Sequence, residues 1–250
     1  MSFDLLFFAF AIPAVLFAGV SKGGFGNGAA FAATPILAQI LDPALALAVM
    51  LPLLMMMDVA AVPVYWRKWH GRAVAVLLMG AVPGIVLAGA VYSFTDPDVF
   101  RLLIGVMALG FVAYQAVRRA GWLRIGATRF SGVKGTVAGL VAGFTSFISH
   151  AGGPPVAMFL LPLGLDRTTY QATTVLFFWA VNLIKLLPYV LLGFFTAQTL
   201  LANLILAPLA FLGVYIGVRA HRVMSEGLYF GITYVVLTVS GARLIWMALT

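Results

Sequence analysis

Ten apolar stretches fill almost the whole of this 250-residue chain. Only 9% of its side chains are charged and 63% are hydrophobic, whereas an ordinary water-soluble domain has about a quarter charged residues. A helix needs about 20 apolar residues to cross a bilayer, so ten segments leave only short connections. The pattern predicts an all-α polytopic membrane protein without a separate soluble domain. The stretches cover 3–20, 29–40, 43–64, 73–93, 99–117, 133–148, 154–164, 168–190, 197–217 and 228–247.

The composition argues against several kinds of site. The chain has no cysteine, which excludes disulfides, thiolate metal ligands and cysteine nucleophiles. The formal net charge of +8 is divided among loops between apolar segments, so we expect no nucleic-acid partner. The sequence contains no HExxH metal motif and no GxSxG nucleophile elbow. We therefore expect no metal, no other cofactor, no catalytic residues and no enzymatic activity.

The basic loops predict an orientation in the lipid bilayer, because lysine and arginine in short loops mark the cytoplasmic side. Placing three basic loops inside leaves the loop with Asp96 and Asp98 outside. Ten crossings then put both chain ends on the periplasmic or extracellular side. The three loops contain Arg67, Lys68 and Arg72; Arg118, Arg119, Arg124, Arg129 and Lys134; and Arg219 and Arg222.

The chain also resembles a duplication with an offset of 124 residues. The aligned pairs include Ala18-Gly19 with Ala142-Gly143, Leu41-Asp42 with Leu165-Asp166, Asp58 with Asn182, and Tyr65 with Tyr189. Each copy holds five segments, an odd number, so the second copy must enter the membrane with the opposite orientation. The predicted organisation is a first repeat over 1–117, a basic cytoplasmic linker over 118–132 and a second repeat over 133–250. A single ten-helix bundle without this symmetry is the alternative.

Two glycine-rich breaks are the most informative part of the sequence. They run over 18–31 and 142–155, and each precedes a segment too short to span about 30 Å of hydrocarbon. We therefore expect short broken helices at the second and seventh segments. Pro154 and Pro155 suit the first turn of a helix. Free amides and the positive dipole end make a helix N-terminus a natural anion site, and the two starts would face one cavity.

The breaks supply the candidate binding residues, which are polar groups and glycines that could approach an oxyanion. They are Ser21, Lys22, Gly23, Gly24, Gly26, Asn27, Gly28, Thr145, Ser146, Ser149, His150, Gly152 and Gly153. Asp58 and His150 are candidates for proton coupling. Helix packing through small residues would also explain the glycines. Lys22 could instead extend towards the interface and Asp58 could serve a structural hydrogen bond, while for Lys185 the interface is the favoured interpretation.

Several motifs in this order resemble one family. The first break with Thr34-Pro35, the Leu41-Asp42-Pro43 turn, the helix with Pro83-Gly84 and Gly89, and the second break with Gly152-Gly153-Pro154-Pro155 are similar to the two repeats of the TauE/SafE family. These are sulfite exporter-like membrane transporters, also grouped as TSUP. The resemblance covers nearly the whole chain, and it rests on the order and duplication of individually loose motifs.

The resemblance implies a secondary transporter in the cell inner (plasma) membrane. Its expected substrate is a small sulfur-containing or organic anion such as sulfite, sulfoacetate or thiosulfate, exported by alternating access around an anion site near the membrane midplane. A passive anion channel and a non-transporting membrane scaffold are the alternatives. The sequence leaves the particular anion, the coupling ion and any homo-oligomer open.

Overall fold

The computed structural model describes residues 2–25, 30–122, 128–220 and 226–250, and all regular structure within these ranges is helical. Eight of the described helices are long and apolar enough to cross a membrane. The predicted all-α, polytopic class is therefore confirmed. The helices are α1 Leu5–Val20, α2 Ala33–Leu37, α3 Pro43–Ala61, α4 Gly71–Ser93, α5 Pro97–Arg119, α6 Gly132–Ser149, α7 Gly153–Leu160, α8 Arg167–Leu191, α9 Ala197–Ala220 and α10 Glu226–Leu249.

The helix starts follow from local capping. Asp42 caps α3 by accepting from the amide of Ala44 at 2.9 Å. Asp166 caps α8 by accepting from the amides of Thr168 and Thr169. Each side chain satisfies amides that have no partner inside the helix. Asp42 and Asp166 are 124 residues apart, so two positions that the repeat aligns both cap the start of a helix.

Helical structure continues into the first glycine-rich break. Residues Ser21–Phe25 continue α1 as a π-helical turn, and a 3₁₀ turn over Ala30–Ala32 leads into α2. Insertions of this kind widen a helix locally and are frequent at functional sites. Lys22 therefore lies on a helical turn at the end of α1, in a buried position.

Glycines allow two pairs of long helices to pack with their backbones in contact. A Cβ atom on Gly80 of α4 would overlap the carbonyl oxygen of Thr136 in α6, and one on Gly139 would overlap that of Leu77. Between α1 and α9, a Cβ on Gly19 would lie 2.8 Å from the Cα of Gly213. The 124-residue offset aligns α1 with α6 and α4 with α9. The contact between α1 and α9 is therefore the repeat counterpart of the contact between α6 and α4.

Helices α3 and α8 lie in the interior and carry several buried polar side chains. On α3, nearly every residue from Ala46 to Leu51 is fully enclosed. On α8, the side chains of Asn182, Lys185 and Tyr189 are all buried. These three residues follow at spacings of three and four, so they occupy one face of the helix.

Candidate functional site

The two breaks meet at a small buried cavity of about 20 Å³, on the scale of one water molecule. Each break contributes to the wall, and the central helices α3 and α8 complete it. The lining residues are Lys22, Ala30 and Phe31 from the first break, Ser146 and His150 from the second, Leu54 of α3, and Phe178 and Asn182 of α8. The structure therefore brings together the two regions that the sequence singled out.

Lys22 is neutralised by a carboxylate from α3. Its Nζ atom forms a buried ion pair with Oδ1 of Asp58 and also donates to the carbonyl oxygen of Leu54 at 3.2 Å. The second carboxylate oxygen of Asp58 accepts a 2.7 Å hydrogen bond from Nδ2 of Asn182. Burial of an ion is costly unless it is paired and hydrogen-bonded, and this arrangement satisfies both partners. The interpretation of Lys22 as an interfacial lysine is therefore wrong.

Lys185 is fully enclosed, and its acceptors within the described part of the chain are uncharged groups. Its Nζ atom lies 3.0 Å from both the carbonyl oxygen and the hydroxyl of Ser146, and 2.7 Å from Nδ1 of His150. The side chain is 0% exposed, so the sequence-based preference for the interface is wrong here too. Its position three residues after Asn182 points it into the protein, which a hydropathy pattern does not reveal.

His150 ends α6 in a conformation that usually favours glycine. Its backbone angles are φ 57° and ψ 17°, in the left-handed region, which costs a residue with a Cβ about 1–2 kcal/mol. Such strain persists only where the surroundings hold it, and it often marks a functional position. The residue is buried and lines the cavity.

The hydrogen bonds assign the tautomer of the His150 ring. Because Nδ1 faces the ammonium of Lys185, it accepts, and the proton of the neutral ring then lies on Nε2. Nε2 is buried, and none of the described residues lies in ordinary hydrogen-bond geometry to it. The backbone of Leu47 in α3 also interacts with the ring. The ring thus has one donor left for a molecule in the cavity, with the Leu47 carbonyl as a competitor.

Two side chains of α8 donate hydrogen bonds to carbonyl oxygens at the C-terminal end of α6. The hydroxyl of Tyr189 donates to the carbonyl oxygen of Phe147 at 2.6 Å, and Lys185 donates to that of Ser146. The last carbonyls of a helix lack partners within it. Lys185 and Tyr189 therefore hold α6 so that His150 stays at the cavity.

The buried charges in the described part of the chain do not balance. Apart from Tyr189, the ionisable residues buried there are Lys22, Asp58, His150 and Lys185. With both lysines in the ammonium form and a neutral histidine, two cations face one aspartate, so the formal charge of this region is +1. The other acidic residues lie at or before the starts of helices, as with Asp42 and Asp166. The cavity region therefore suits a ligand that brings negative charge.

The remaining described residues of the predicted site are not among those that line this cavity. Gly23 and Gly24 pack against the backbone of α9, as the small-residue alternative had it. The hydroxyls of Thr145 and Ser149 lie within hydrogen-bonding distance of carbonyls in α6. Ser21 is buried in the π-helical turn, and Gly152 packs on Ser146 and Phe178. Gly153 begins α7. Three further candidates, Gly26, Asn27 and Gly28, lie outside the described residues.

The sequence predicts that backbone amides at the starts of α2 and α7 bind an anion. The residues that line the cavity give this prediction little support. Pro154 and Pro155 follow Gly153 in the first turn of α7, and proline has no N–H to donate. Helix α2 has only five residues, too few for a substantial dipole. The lining consists of side chains and residues of the first 3₁₀ turn. Side chains are therefore the stronger candidates for binding charge.

Sequence reasoning did not place Leu54, Phe178 or Lys185 in the site. The repeat offset aligns Lys22 with Ser146 and Leu54 with Phe178, and all four residues line the cavity. The alignment could therefore have indicated that Leu54 and Phe178 occupy equivalent places in the site. For Lys185, the signal was its helical spacing from Asn182, which the repeat had already aligned with Asp58.

A chain whose described part has eight helices able by length and composition to span a bilayer, with a small cavity where the two glycine-rich regions meet, has the architecture of a polytopic membrane protein. More particularly, it belongs to the TauE/SafE family, since the family model described as "Sulfite exporter TauE/SafE" matches residues 11–244. The resemblance seen in the sequence motifs is thereby confirmed over nearly the whole chain. No curated protein and no solved structure matches the chain.

Family membership identifies a multi-pass membrane protein of the sulfite-exporter type. This is a family of transporters and not of enzymes, in keeping with the lack of a predicted catalytic group. The family also fits a small anionic substrate and a lipid bilayer as the partners of the chain.

Proposed function

We propose that this protein is a secondary transporter that exports a small sulfur-containing or organic anion of the class of sulfite, sulfoacetate or thiosulfate. The observation that carries the proposal is Lys185, a buried lysine that forms no ion pair with a carboxylate of the described residues and is joined through His150 to the cavity between the breaks. A lysine at such depth is expensive and usually functional. An anion in the cavity would supply the missing charge.

The donors around the cavity suit an oxyanion. His150 offers Nε2–H, and the hydroxyl of Ser146, which accepts from Lys185, can turn its own proton towards a ligand. Lys22 also lines the cavity, although its charge is balanced by Asp58. Of the candidates from the sequence, we retain Lys22, Ser146 and His150 as binding residues and add Lys185 as the group that compensates charge behind the ring.

Alternating access is the mechanism that best fits the small cavity. A space of about 20 Å³ holds about one water molecule, so the walls must separate before an anion of the proposed class can enter. The interfaces α1 with α9 and α4 with α6 exchange under the repeat correspondence, which favours two inverted five-segment repeats over an unsymmetrical bundle. We propose that one repeat rocks against the other around the cavity.

Uptake by the purified protein in liposomes tests the proposal. Vesicles loaded with unlabelled sulfite should accumulate labelled sulfite by counterflow, and Lys185→Gln should reduce the rate at least about tenfold, a loss of about 1.4 kcal/mol of binding free energy. Lys68→Gln is the matched control, because Lys68 is exposed and bonds only within its own turn. Equal rates in Lys185→Gln and the wild type would exclude the proposed site.

The same assay separates the alternatives. A passive anion channel gives flux that rises in proportion to substrate and shows no counterflow. A scaffold without transport gives no flux with any anion. Saturable exchange supports a transporter, because a single binding site must reorient between the two sides.

We further propose that the protein lies in the cell inner (plasma) membrane with both chain ends on the outer side. The support is the distribution of basic residues, with Arg67 and Lys68 between α3 and α4, Arg72 in the first turn of α4, and further arginines at and after the ends of α5 and α9.

A further inference from the structure

A second and larger concavity is a groove between α6 and α7. Its volume is about 530 Å³, within the range of about 300–1,000 Å³ that is typical of sites for small organic molecules. Its wall is mainly apolar, with Val137 and Val141 on α6 and Met158 and Phe159 on α7. None of the residues that line it also lines the cavity between the breaks. The groove is therefore separate from the proposed anion site.

The wall of the groove changes from basic to apolar along its length. Arg129 precedes α6 and Lys134 lies in its first turn, and both line the groove. The amide of Thr128 donates to the carbonyl oxygen of Pro162 at 2.9 Å, which joins the basic end to the chain that follows α7. Val141 lies two helical turns beyond Lys134 on the same face, a distance of about 10 Å. A ligand in the groove would therefore meet charge at one end and apolar side chains along the rest.

The corresponding surface of the first repeat is covered by protein. The 124-residue offset aligns Met158 with Thr34 and Leu163 with Gln39. Thr34 is 0% exposed, and Gln39 donates to the carbonyl oxygen of Ser240 in α10. Met158, by contrast, is 50% exposed. Helix α10 thus covers this face of α2, whereas the face of α7 that carries Met158 is left open in the described part of the chain.

The charges at the basic end are available to a ligand. Arg129 and Lys134 are both exposed, and neither forms an ion pair with a described residue. Among the described residues that line the groove, none is acidic. Both cations belong to a loop that we propose faces the cytoplasm, and basic pockets between helices on that side attract the head groups of anionic lipids. The apolar part of the groove suits an acyl chain, because the chain belongs to a family of membrane proteins.

We propose that this groove binds an anionic phospholipid of the cytoplasmic leaflet. The phosphate lies between Arg129 and Lys134, since a guanidinium can donate two parallel hydrogen bonds to phosphate oxygens. The hydroxyl of Ser131, which also lines the groove, is a further donor. One acyl chain lies along Val137 and Met158. The lipid thereby bridges the two helices on either side of the second break, a role that goes beyond the proposed transport activity.

Native mass spectrometry of the full chain in detergent tests the proposal with two lipids that have the same acyl chains. Phosphatidylglycerol has a net negative charge, whereas phosphatidylcholine has the same phosphate beside a quaternary amine. Titration with each lipid gives the apparent dissociation constant of the first bound molecule. We expect phosphatidylglycerol to bind at least about tenfold more tightly, because each basic residue near the head group contributes roughly a factor of five.

Removal of both cations tests the contact with the head group. In the double variant Arg129→Gln with Lys134→Gln, the dissociation constants of the two lipids should agree within about twofold. The double variant Arg67→Gln with Lys68→Gln is the matched control. It removes the same charge from two exposed positions in another basic loop and should keep the preference for phosphatidylglycerol.

The variant Val137→Trp tests the contact with the acyl chain. Val137 is 58% exposed and lines the groove, so an indole at this position takes the space of the lipid tail. Phosphatidylglycerol should then bind at least about fivefold more weakly. The control is Val86→Trp on α4, where the valine is 66% exposed and does not line the groove. Its affinity should equal that of the wild type.

Equal affinity of the wild-type protein for the two lipids overturns the proposal, as does a preference that persists without Arg129 and Lys134. Displacement of the lipid by glycerol phosphate alone would point to a soluble phosphate ligand and exclude a lipid site. A dimer that Val137→Trp converts to a monomer, without any lipid preference, would assign the groove to a second copy of the chain. Lys185→Gln should bind phosphatidylglycerol as the wild type does, so failure of the anion site leaves this test intact.

Discussion

Asn182 donates a 2.7 Å hydrogen bond to Asp58, and the two residues are separated by 124 positions, the offset of the internal repeat. Two equivalent positions can touch each other only close to the axis that relates them. We therefore propose that the axis relating the two halves passes between these side chains. Two further aligned pairs, Lys22 with Ser146 and Leu54 with Phe178, line the cavity beside them. The site would then lie where the two halves meet.

The ion pair between Lys22 and Asp58 should show an asymmetric response to mutation. Asp58→Leu leaves two uncompensated lysines and should destabilise the protein by about 3–5 kcal/mol. Lys22→Met should cost less, because Lys185 still offsets the charge of Asp58. The double variant should be more stable than Asp58→Leu alone. Thermal unfolding in detergent measures all three, and purely additive losses would contradict the coupling.

The variant His150→Asn should weaken anion binding while leaving the stability of the fold nearly unchanged. Asparagine tolerates the left-handed backbone and its side-chain oxygen can still accept from Lys185, so the unfolding temperature should change little. The variant lacks Nε2–H and should bind methanesulfonate at least about tenfold more weakly. His150→Val, by contrast, should unfold earlier, because a β-branched residue is strained at this φ. Unchanged affinity in His150→Asn would remove the ring from the site.

Tyr189→Phe should destabilise the protein by about 1–3 kcal/mol, because the buried carbonyl of Phe147 loses its donor while the aromatic packing is retained. The comparison is Tyr215→Phe on α9, where the side chain is 52% exposed and little change is expected. Both losses are measured as shifts in the unfolding temperature. A Tyr189→Phe protein as stable as Tyr215→Phe would show that the bond to α6 is unimportant.

Gly139→Ala should disrupt the contact between α4 and α6, since its Cβ would overlap the carbonyl oxygen of Leu77. Backbone cannot move aside as a flexible side chain can, so we expect a large loss of folded protein. Gly110→Ala is the matched control, because no atom lies within 4 Å of a Cβ built there. It should be neutral or slightly stabilising. The yield of monodisperse protein on size-exclusion chromatography reports the difference.

The proposed orientation can be tested by labelling, because the natural chain contains no cysteine. In intact cells, Thr250→Cys should react with a membrane-impermeant maleimide, whereas Lys68→Cys should react only after permeabilisation. Both positions are exposed, so each serves as the control for the other. Reaction of Lys68→Cys in intact cells would reverse the assignment of the basic loops.

The sequence was sufficient for the features that depend on local composition. Apolar segments predict helices in a bilayer, because lipid leaves the backbone no other partner. Asp42 and Asp166 predict helix starts through their own following amides. The glycine-rich breaks and their order predicted the family, and the repeat offset aligned Asp58 with Asn182. The anion site built from helix-start amides stays a prediction, although the prolines that remove donors from α7 were already visible in the sequence.

The partners of the charged residues were decided only by the tertiary structure. Lys22 and Lys185 look alike in sequence, each a lone lysine in an apolar stretch. One meets a carboxylate from α3, and the other meets a histidine at the end of α6. These contacts join side chains 36 and 35 residues apart. Which of them form depends on how the helices rotate and pack around one another, and this is a property of the whole fold.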